Sequence, residues 1–377
     1  MKKAYLDNAS TTAMHPLVID EMVQVMSGNY GNPSSTHSIG RQAKVVLETS
    51  RKTIASLINA EAREIIFTSG GTEGNNLILY SAVRDLGIRR IISSRVEHHS
   101  VLNPLPQLAV QFGIQVAYVN LLPGGQPDLK HLEALLQEDM RTLVSLIHVN
   151  NETGTVLNLE KTGNLCRQYK ALFHTDTVQS VGKTEFDMRA LPIDFIVASA
   201  HKFHGPKGAG FIYITKTIGL KPMLYGGEQE KGLRGGTEAI HQIAGMAKAL
   251  QLSYAHLNEH RQHITALKNY LHEQLELHFP SFVINGYANN EELFYNITNV
   301  LLPLAEDKTA MILFSLDMQG VEVSRGSACQ SGSVKPSHVL KEILLPADVN
   351  KPSLRISFSH YNTKEDIDML IEALKKV

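Results

Sequence analysis

From about Glu64 to Tyr213, short apolar runs alternate with longer amphipathic stretches. The series reads EIIFTS, EGNNLILYSAVRDLG, RRIISSR, VLNPLPQLAVQFG and IQVAYVN, then TLVSLIHVN, NLEKTGNLCRQYK, ALFHTD, DFIVASA and GAGFIYIT. Strand-like and helix-like segments in this alternation predict a largely parallel sheet covered by helices. Sheets of that kind take ligands at the C-terminal ends of their strands. After Gly245 neither Gly nor Pro occurs until Pro280, while Leu250, Leu252, Leu257, Ile264, Leu267, Leu271 and Leu275 recur at roughly helical spacing. This predicts one long helix, broken at most once. It leads into a C-terminal α+β unit with strand candidates SFVIN, LFYNITNV, VEVSRG and SLRISFS and a closing helix TKEDIDMLIEALKKV. The expected division is an N-terminal segment at 1–14 packing near the small domain, a large domain over 15–255 and a small α+β domain over 256–377.

A length of 377 residues exceeds the usual size of one core, in keeping with two domains. With 43% hydrophobic residues and Lys plus Arg (36) nearly equal to Asp plus Glu (37), the composition argues against disorder and against a phosphate-tracking surface for nucleic acid. The N-terminal run MKKAYLDN reaches Asp7 before any apolar stretch long enough for a signal peptide, and no later run approaches membrane-spanning length. A cytoplasmic enzyme of small molecules, with no membrane or nucleic-acid partner, is expected. Two cysteines, Cys166 and Cys329, make no disulfide framework.

Candidate chemistry clusters at the ends of the apolar runs. Ser69-Gly70-Gly71-Thr72-Glu73-Gly74-Asn75-Asn76 lies between a strand and a helix. Its glycines let backbone N–H groups converge on an anion, and Thr72 adds a hydroxyl, although an ordinary strand-to-helix turn has the same composition. The lysine of a Walker loop and the spacing of the dinucleotide fingerprint are both missing, so a phosphate ester fits better than a nucleotide. Asp176 and Gln179 stand where ALFHTD ends, and Lys202 follows DFIVASA one strand later. Asp176 alone reads as a helix cap and Lys202 alone as a surface charge. Together they supply what pyridoxal phosphate needs, an amine for a Schiff base and an acid to keep the pyridine nitrogen protonated. His98, at another strand end, suits ring stacking or proton transfer, or a plain core or surface histidine. The His201 and His204 pair sits on no recognisable zinc scaffold, and metal binding is not expected. Cys166 has helical, apolar neighbours and takes no chemical role. Cys329, in the small-residue run SACQSGS, is either a nucleophile or an incidental thiol.

Taken together these segments resemble the cysteine desulfurases, a branch of the class V aminotransferase superfamily with the fold-type-I pyridoxal phosphate architecture. The matching runs are YLDNASTT, YGNPSSTHSIGR, SGGTEGNN, VEHHSV, HVNNETGTV, FHTDTVQSVGK, SAHKFHGPKGAG, GGEQEKGLRGGTE, SRGSACQSGS and LRISFSHYNT, which span nearly the whole chain in order. The resemblance implies that Lys202 is the Schiff-base lysine, Asp176 the pyridine-nitrogen partner, Gln179 the donor to the ring hydroxyl and His98 the residue stacked on the ring. Gly71, Thr72, Ser199 and His201 match phosphate-binding positions, and Asn151 matches a residue near cofactor and substrate. Thr237 corresponds to a threonine that reaches the phosphate held by a partner subunit, which implies a homodimer. Arg355 matches the arginine that clamps the substrate carboxylate.

The implied reaction takes sulfur from L-cysteine, giving L-alanine and a persulfide on Cys329 that passes to a sulfur-acceptor protein for iron–sulfur cluster assembly or tRNA thiolation. Lys202 is freed to carry protons. No resident metal is implied, although Cys329 could transiently ligate an iron–sulfur cluster with a scaffold. A selenocysteine lyase or aminotransferase that does not use Cys329, or a non-catalytic sulfur carrier, would keep the same fold. Arg325 stands where many family members carry a small residue, and the chain stops at Val377 without the longer tail through which some members meet a scaffold. An altered loop charge and altered docking are expected.

Overall fold

A computed structural model describes residues 3–286, 293–326 and 336–377; Cys329 lies outside the described residues. The strands are, in chain order, β1 (Ala4–Tyr5), β2 (Ile65–Thr68), β3 (Arg90–Ser93), β4 (Gln115–Tyr118), β5 (Thr142–Ile147), β6 (Leu172–Asp176), β7 (Phe195–Ser199), β8 (Gly210–Ile214), β9 (Val283–Asn285), β10 (Ile297–Leu301), β11 (Val321–Glu322) and β12 (Ser353–Ser357). The sheet expected from the alternating runs is built from β2 to β8 in the order β2-β8-β7-β6-β5-β3-β4. Strands β4, β3, β5, β6 and β7 run parallel, and β8 is inserted antiparallel between β7 and β2.

Helices cover both faces, so the central strands are buried throughout and read as continuous apolar runs. Their period of two still divides the residues between two cores. Ile196 and Ala198 of β7 join Val144 and Leu146 of β5 on one face, whereas Phe195 and Val197 join Leu143 on the other. The helix Gly71–Leu86 lies on the second face, and the helices Pro16–Gly28, Ser38–Leu57 and Ile240–Ala255 supply Val18, Ile54 and Leu250 to the first.

The long apolar pattern after Gly245 is two helices, Ile240–Ala255 and Leu257–His278, meeting at His256. The first helix belongs to the large core, while Leu267, Leu271 and Leu275 of the second pack with Leu354, Ile356 and Leu370 in a separate core. That core rests on the antiparallel sheet β12-β10-β9, in which Arg355 pairs with Asn299. Of the expected strand VEVSRG, β11 forms and pairs in parallel with β1, and Ser324 beyond it makes a single bridge to Arg355 of β12. The N-terminal segment therefore starts in the small core, through Ala4 and Leu6, and then crosses to the large domain, where the Thr12 amide bonds the His201 carbonyl at 2.9 Å.

One glycine shows how closely helix and sheet approach. A Cβ on Gly74 would lie 2.7 Å from Val197 Cγ1 and 2.8 Å from Ile212 Cγ2. Gly→Ala inside an exposed helix is worth up to ~1 kcal/mol of added stability. At this position overpacking reverses the sign, so Gly74→Ala is expected to lower stability by about 1–3 kcal/mol, read as a lower Tm in a thermal melt.

Candidate active site

The C-terminal ends of β3, β5, β6 and β7 converge on one cleft of 260 Å³, as expected for an open parallel sheet. Its walls bring together Gly71, Thr72, His98, Asn151, Asp176, Gln179, Ser199, His201, Lys202 and Arg355, residues that the sequence spreads over almost three hundred positions. Thr237 is exposed and does not line the cleft of its own chain.

At one end the helix Gly71–Leu86 begins. Its N-cap, Gly70, supplies no side-chain acceptor, so the first N–H groups of the helix stay available to an anion. Gly70 has φ +148°, which favours glycine, and a Cβ there would approach Ser199 Oγ to 3.3 Å. A Cβ on Gly71 would lie 2.8 Å from Val178 Cγ2. Bare backbone, the Thr72 and Ser199 hydroxyls and the His201 ring make a cradle for a phosphate. Burial first, then the Lys202, Lys207 and Lys183 charges, hold the His201 pKa down to about 4, so its imidazole is neutral.

Across the cleft Asp176 ends β6, 4% exposed. Its Oδ2 accepts from Asn75 Nδ2 at 2.7 Å and its Oδ1 from the Val178 amide at 3.0 Å. Asn75 Nδ2 also donates to Ser100 Oγ (2.7 Å), which lies 2.8 Å from His98 Nδ1. The Ser100 amide donates to that same nitrogen at 3.1 Å, so Nδ1 is an acceptor and the ring proton sits on Nε2. Burial lowers the His98 pKa, opposed by the Asp176 charge and assisted by Lys202 and His338, and the ring is neutral. Asn75 and Ser100 were not singled out from the sequence. Asn75 stands one turn into the helix from Thr72, and that spacing was the available signal.

Lys202 sits in the 3-10 turn that follows β7, and its Nζ donates to the carbonyls of Ala9 (2.6 Å) and Ser10 (2.7 Å). Gln179 Nε2 donates to the same Ala9 carbonyl at 2.9 Å, which leaves Oε1 buried with no partner among the described residues. The amide nitrogen expected to serve a ring hydroxyl is thus engaged with backbone here, and Oε1 is the unsatisfied atom. Lys183 is partly buried beside them, donating to the Gln179 carbonyl at 3.1 Å. Burial, then the Lys202 charge, brings its pKa down to about 7.

Arg355, 2% exposed, closes the cleft from the small domain. Its Nη2 donates to Asp7 Oδ1 at 2.8 Å and to Ser10 Oγ, and its Nη1 donates to the Asn151 carbonyl at 2.8 Å. Asp7 and Ser10 lie in a run quoted from the sequence only for its resemblance, and no local pattern marked them as site residues. The anion cradle, primary amine, buried carboxylate and orphaned Gln179 oxygen together fit a cofactor with a phosphate, an amine-reactive carbon and a polar ring. Among the described residues no group of His, Cys, Asp or Glu is arranged to hold a metal ion, and no helix is long and apolar enough to cross a membrane.

The family model described as aminotransferase class V matches residues 4–370. The cysteine desulfurase IscS of Dictyoglomus turgidum is 37% identical over 378 residues, covering 100% of this chain and 94% of the relative. Among solved structures, a NifS-like protein superposes with a TM-score of 0.90 at 32% identity, covering 100% of this chain and 99% of that one. The structure of SspA in complex with cysteine superposes with a TM-score of 0.81 at 31% identity, covering 96% and 100%.

Next to His98, the carboxyl of Glu97 is wholly buried. Ser94 Oγ donates to Oε1 at 2.6 Å, while Oε2 has no partner among the described residues. Burial, offset in part by Ser94 and the Ile147 amide and aided by the Asp176 charge, raises its pKa to about 8. Between the ordinary carboxyl range and about 8, the folded chain keeps a proton that the unfolded chain has released, so stability falls as pH rises through that window and levels off above it. Glu97→Gln removes this dependence. The Tm of the variant relative to the parent is expected to climb between pH 5 and 8 in melts; a difference that does not change with pH would contradict a neutral Glu97.

Proposed function

Because this chain belongs to the class-V aminotransferase family, with cysteine desulfurases as full-length relatives, we propose that it is a pyridoxal-phosphate-dependent cysteine desulfurase that converts L-cysteine to L-alanine and leaves a persulfide on Cys329. The observation that carries this function is the lining of one cleft by Lys202, Asp176, the open N-terminus of the helix Gly71–Leu86 and Arg355. Lys202 would anchor the cofactor through its amine, the Gly71, Thr72, Ser199 and His201 cradle would take the phosphate, and Asp176 would pair with the ring nitrogen. When bound, the group supplies an electron sink for the substrate's α-carbon.

The protein's own residues do the rest. Arg355 has a planar donor set suited to a carboxylate, and its Nε is unpartnered among the described residues. The Asn151 carbonyl holds that guanidinium, which supports a reading in which substrate recognition and domain contact use the same residues. Lys202 Nζ moves a proton at the substrate's α-carbon, and neutral His98 offers the proton on Nε2. The Cys329 thiolate attacks the substrate sulfur: an S–S bond forms as the C–S bond breaks, and the electron pair of that bond stays with the carbon skeleton, which gains a proton to become alanine. The two sulfurs of the new bond are together oxidised by two electrons and the β-carbon is reduced by two, so no outside oxidant is needed. A sulfur-acceptor protein, for iron–sulfur cluster assembly or tRNA thiolation, takes the persulfide sulfur onward.

A second copy of the chain is part of this function. The helix Pro16–Gly28 buries Val18 and Val25 but leaves Ile19, Val23 and Met26, which share a face, about half exposed, with Tyr30 beyond. An apolar face of this kind supports a subunit interface, and exposed Thr237 is free to serve the partner's cleft.

With L-cysteine and pyridoxal phosphate, the purified chain is expected to yield alanine in step with a persulfide on Cys329, followed by mass spectrometry. Lys202→Ala should lose the visible absorption of attached cofactor, and Cys329→Ser should slow sulfur release roughly a hundredfold or more. Undiminished release from Cys329→Ser would sink the persulfide step. Val23→Glu should weaken the dimer by about tenfold or more in sedimentation velocity; an unchanged dimer would move the interface elsewhere.

A further inference from the structure

Arg355 has few donors left to offer a ligand. A guanidinium carries five N–H bonds. Both on Nη2 are taken, one by Asp7 Oδ1 at 2.8 Å and one by Ser10 Oγ, and one on Nη1 is taken by the Asn151 carbonyl at 2.8 Å. Nε is unpartnered among the described residues but buried, so it meets a ligand only if something moves. At most one N–H, on Nη1, therefore remains for a carboxylate in the cleft, and a carboxylate has two oxygens to satisfy.

A second donor stands beside it. Ser10 lines the cleft and touches both groups through which an amino acid would be held: its hydroxyl oxygen accepts from Arg355 Nη2, and its carbonyl accepts from Lys202 Nζ at 2.7 Å. Because Oγ accepts from the guanidinium, the hydroxyl keeps its own hydrogen to donate, and among the described residues no acceptor takes it. A hydroxyl polarised by a neighbouring cation is also the stronger donor.

The turn that carries Ser10 is fixed on both sides. Before it, Asn8 Nδ2 donates to the Ser357 carbonyl at 2.9 Å and to Asn362 Oδ1 at 3.1 Å, and the Ala9 amide donates to Ser357 Oγ at 2.8 Å. After it, Thr12 Oγ1 donates to the His201 carbonyl at 3.0 Å and accepts from the His204 amide at 2.8 Å. The Ser10 amide closes the turn on the Asp7 carbonyl at 3.0 Å. A hydroxyl on backbone held in this way loses little freedom when a ligand arrives.

We infer that Ser10 is a substrate-binding residue: its hydroxyl and the remaining Nη1 hydrogen of Arg355 together grip the carboxylate of an α-amino acid. This rests on the reading in which such a substrate lies between Lys202 and Arg355. The charge of Arg355 is already shared with Asp7, so a neutral hydroxyl supplies the donor that the ion pair no longer has to spare. A ligand without a carboxylate gains nothing from it.

In the holoenzyme, Ser10→Ala should raise the KM for L-cysteine and the Kd for the product L-alanine about tenfold, the second read from the visible absorption of the bound cofactor, while kcat stays within about twofold. Cysteamine, which has the amine and the thiol but no carboxylate, should bind parent and variant alike by the same absorption change. Losing the hydroxyl also frees Arg355 to shift, and a crystal structure of the parent with L-alanine separates the two effects: a carboxylate oxygen should lie within ~3.2 Å of Ser10 Oγ. Unchanged or tighter L-alanine binding in Ser10→Ala, an equal loss for cysteamine, or a carboxylate held by Arg355 alone would each overturn the inference. L-alanine binding reads Ser10 whether or not the chain turns cysteine over; a parent that makes no alanine from L-cysteine overturns the proposed function instead.

Discussion

A single buried guanidinium holds the architecture of the site together. Arg355 is part of β12 in the small domain, yet its donors reach Asp7 and Ser10 of the N-terminal segment and the Asn151 carbonyl of the large domain. Its backbone also pairs with Ser324. A charge 2% exposed is tolerable only when paired and hydrogen-bonded, and removing one partner of such a pair strands the other in a low-dielectric interior. The small domain, the N-terminal segment and the near wall of the cleft are therefore all tied to this one side chain.

The opposite wall follows a different economy. His98 and His201 are neutral because burial disfavours their charged forms, Lys183 is lowered to about 7 for the same reason, and Glu97 is raised to about 8. What remains strongly polar is directed inward: Asp176 through Asn75 and Val178, and Lys202 through the Ala9 and Ser10 carbonyls. The hydrogen-bond chain from Asp176 through Asn75 and Ser100 to His98 fixes the tautomer of the His98 ring. Preorganised dipoles of this kind need no rearrangement when charge develops during a reaction.

The loop from Asn150 to Glu152 joins these walls. Asn151 lines the cleft and its carbonyl holds Arg355, while the carbonyl of its neighbour Glu152 accepts from Asn299 of the small domain. Contacts to the cleft and to the small domain thus meet within three residues, which makes this short loop, rather than the sheet itself, the place where the two are joined.

The alternating apolar runs between Glu64 and Tyr213 were enough to forecast the mainly parallel sheet and the use of its C-terminal edge, because burial on both faces writes itself into consecutive residues. Lys202, Asp176, His98 and the glycine turn were legible for the same reason: each sits where a run ends. The break at His256 was foreseen only in outline, and the partner of the Val321–Glu322 strand was not forecast at all, since two residues carry no periodicity. Asn75, Ser100, Asp7 and Ser10 were not recognised as site residues. Their roles depend on partners far along the chain, such as Asp176 for Asn75 and Arg355 for Asp7, and a polar side chain looks the same in sequence whether its partner is water or a buried charge. Local order and the chemical types at the strand ends were thus set by the sequence alone; which polar atoms meet and which histidine nitrogen holds the proton were decided by tertiary packing, because only packing removes the water that would otherwise satisfy them.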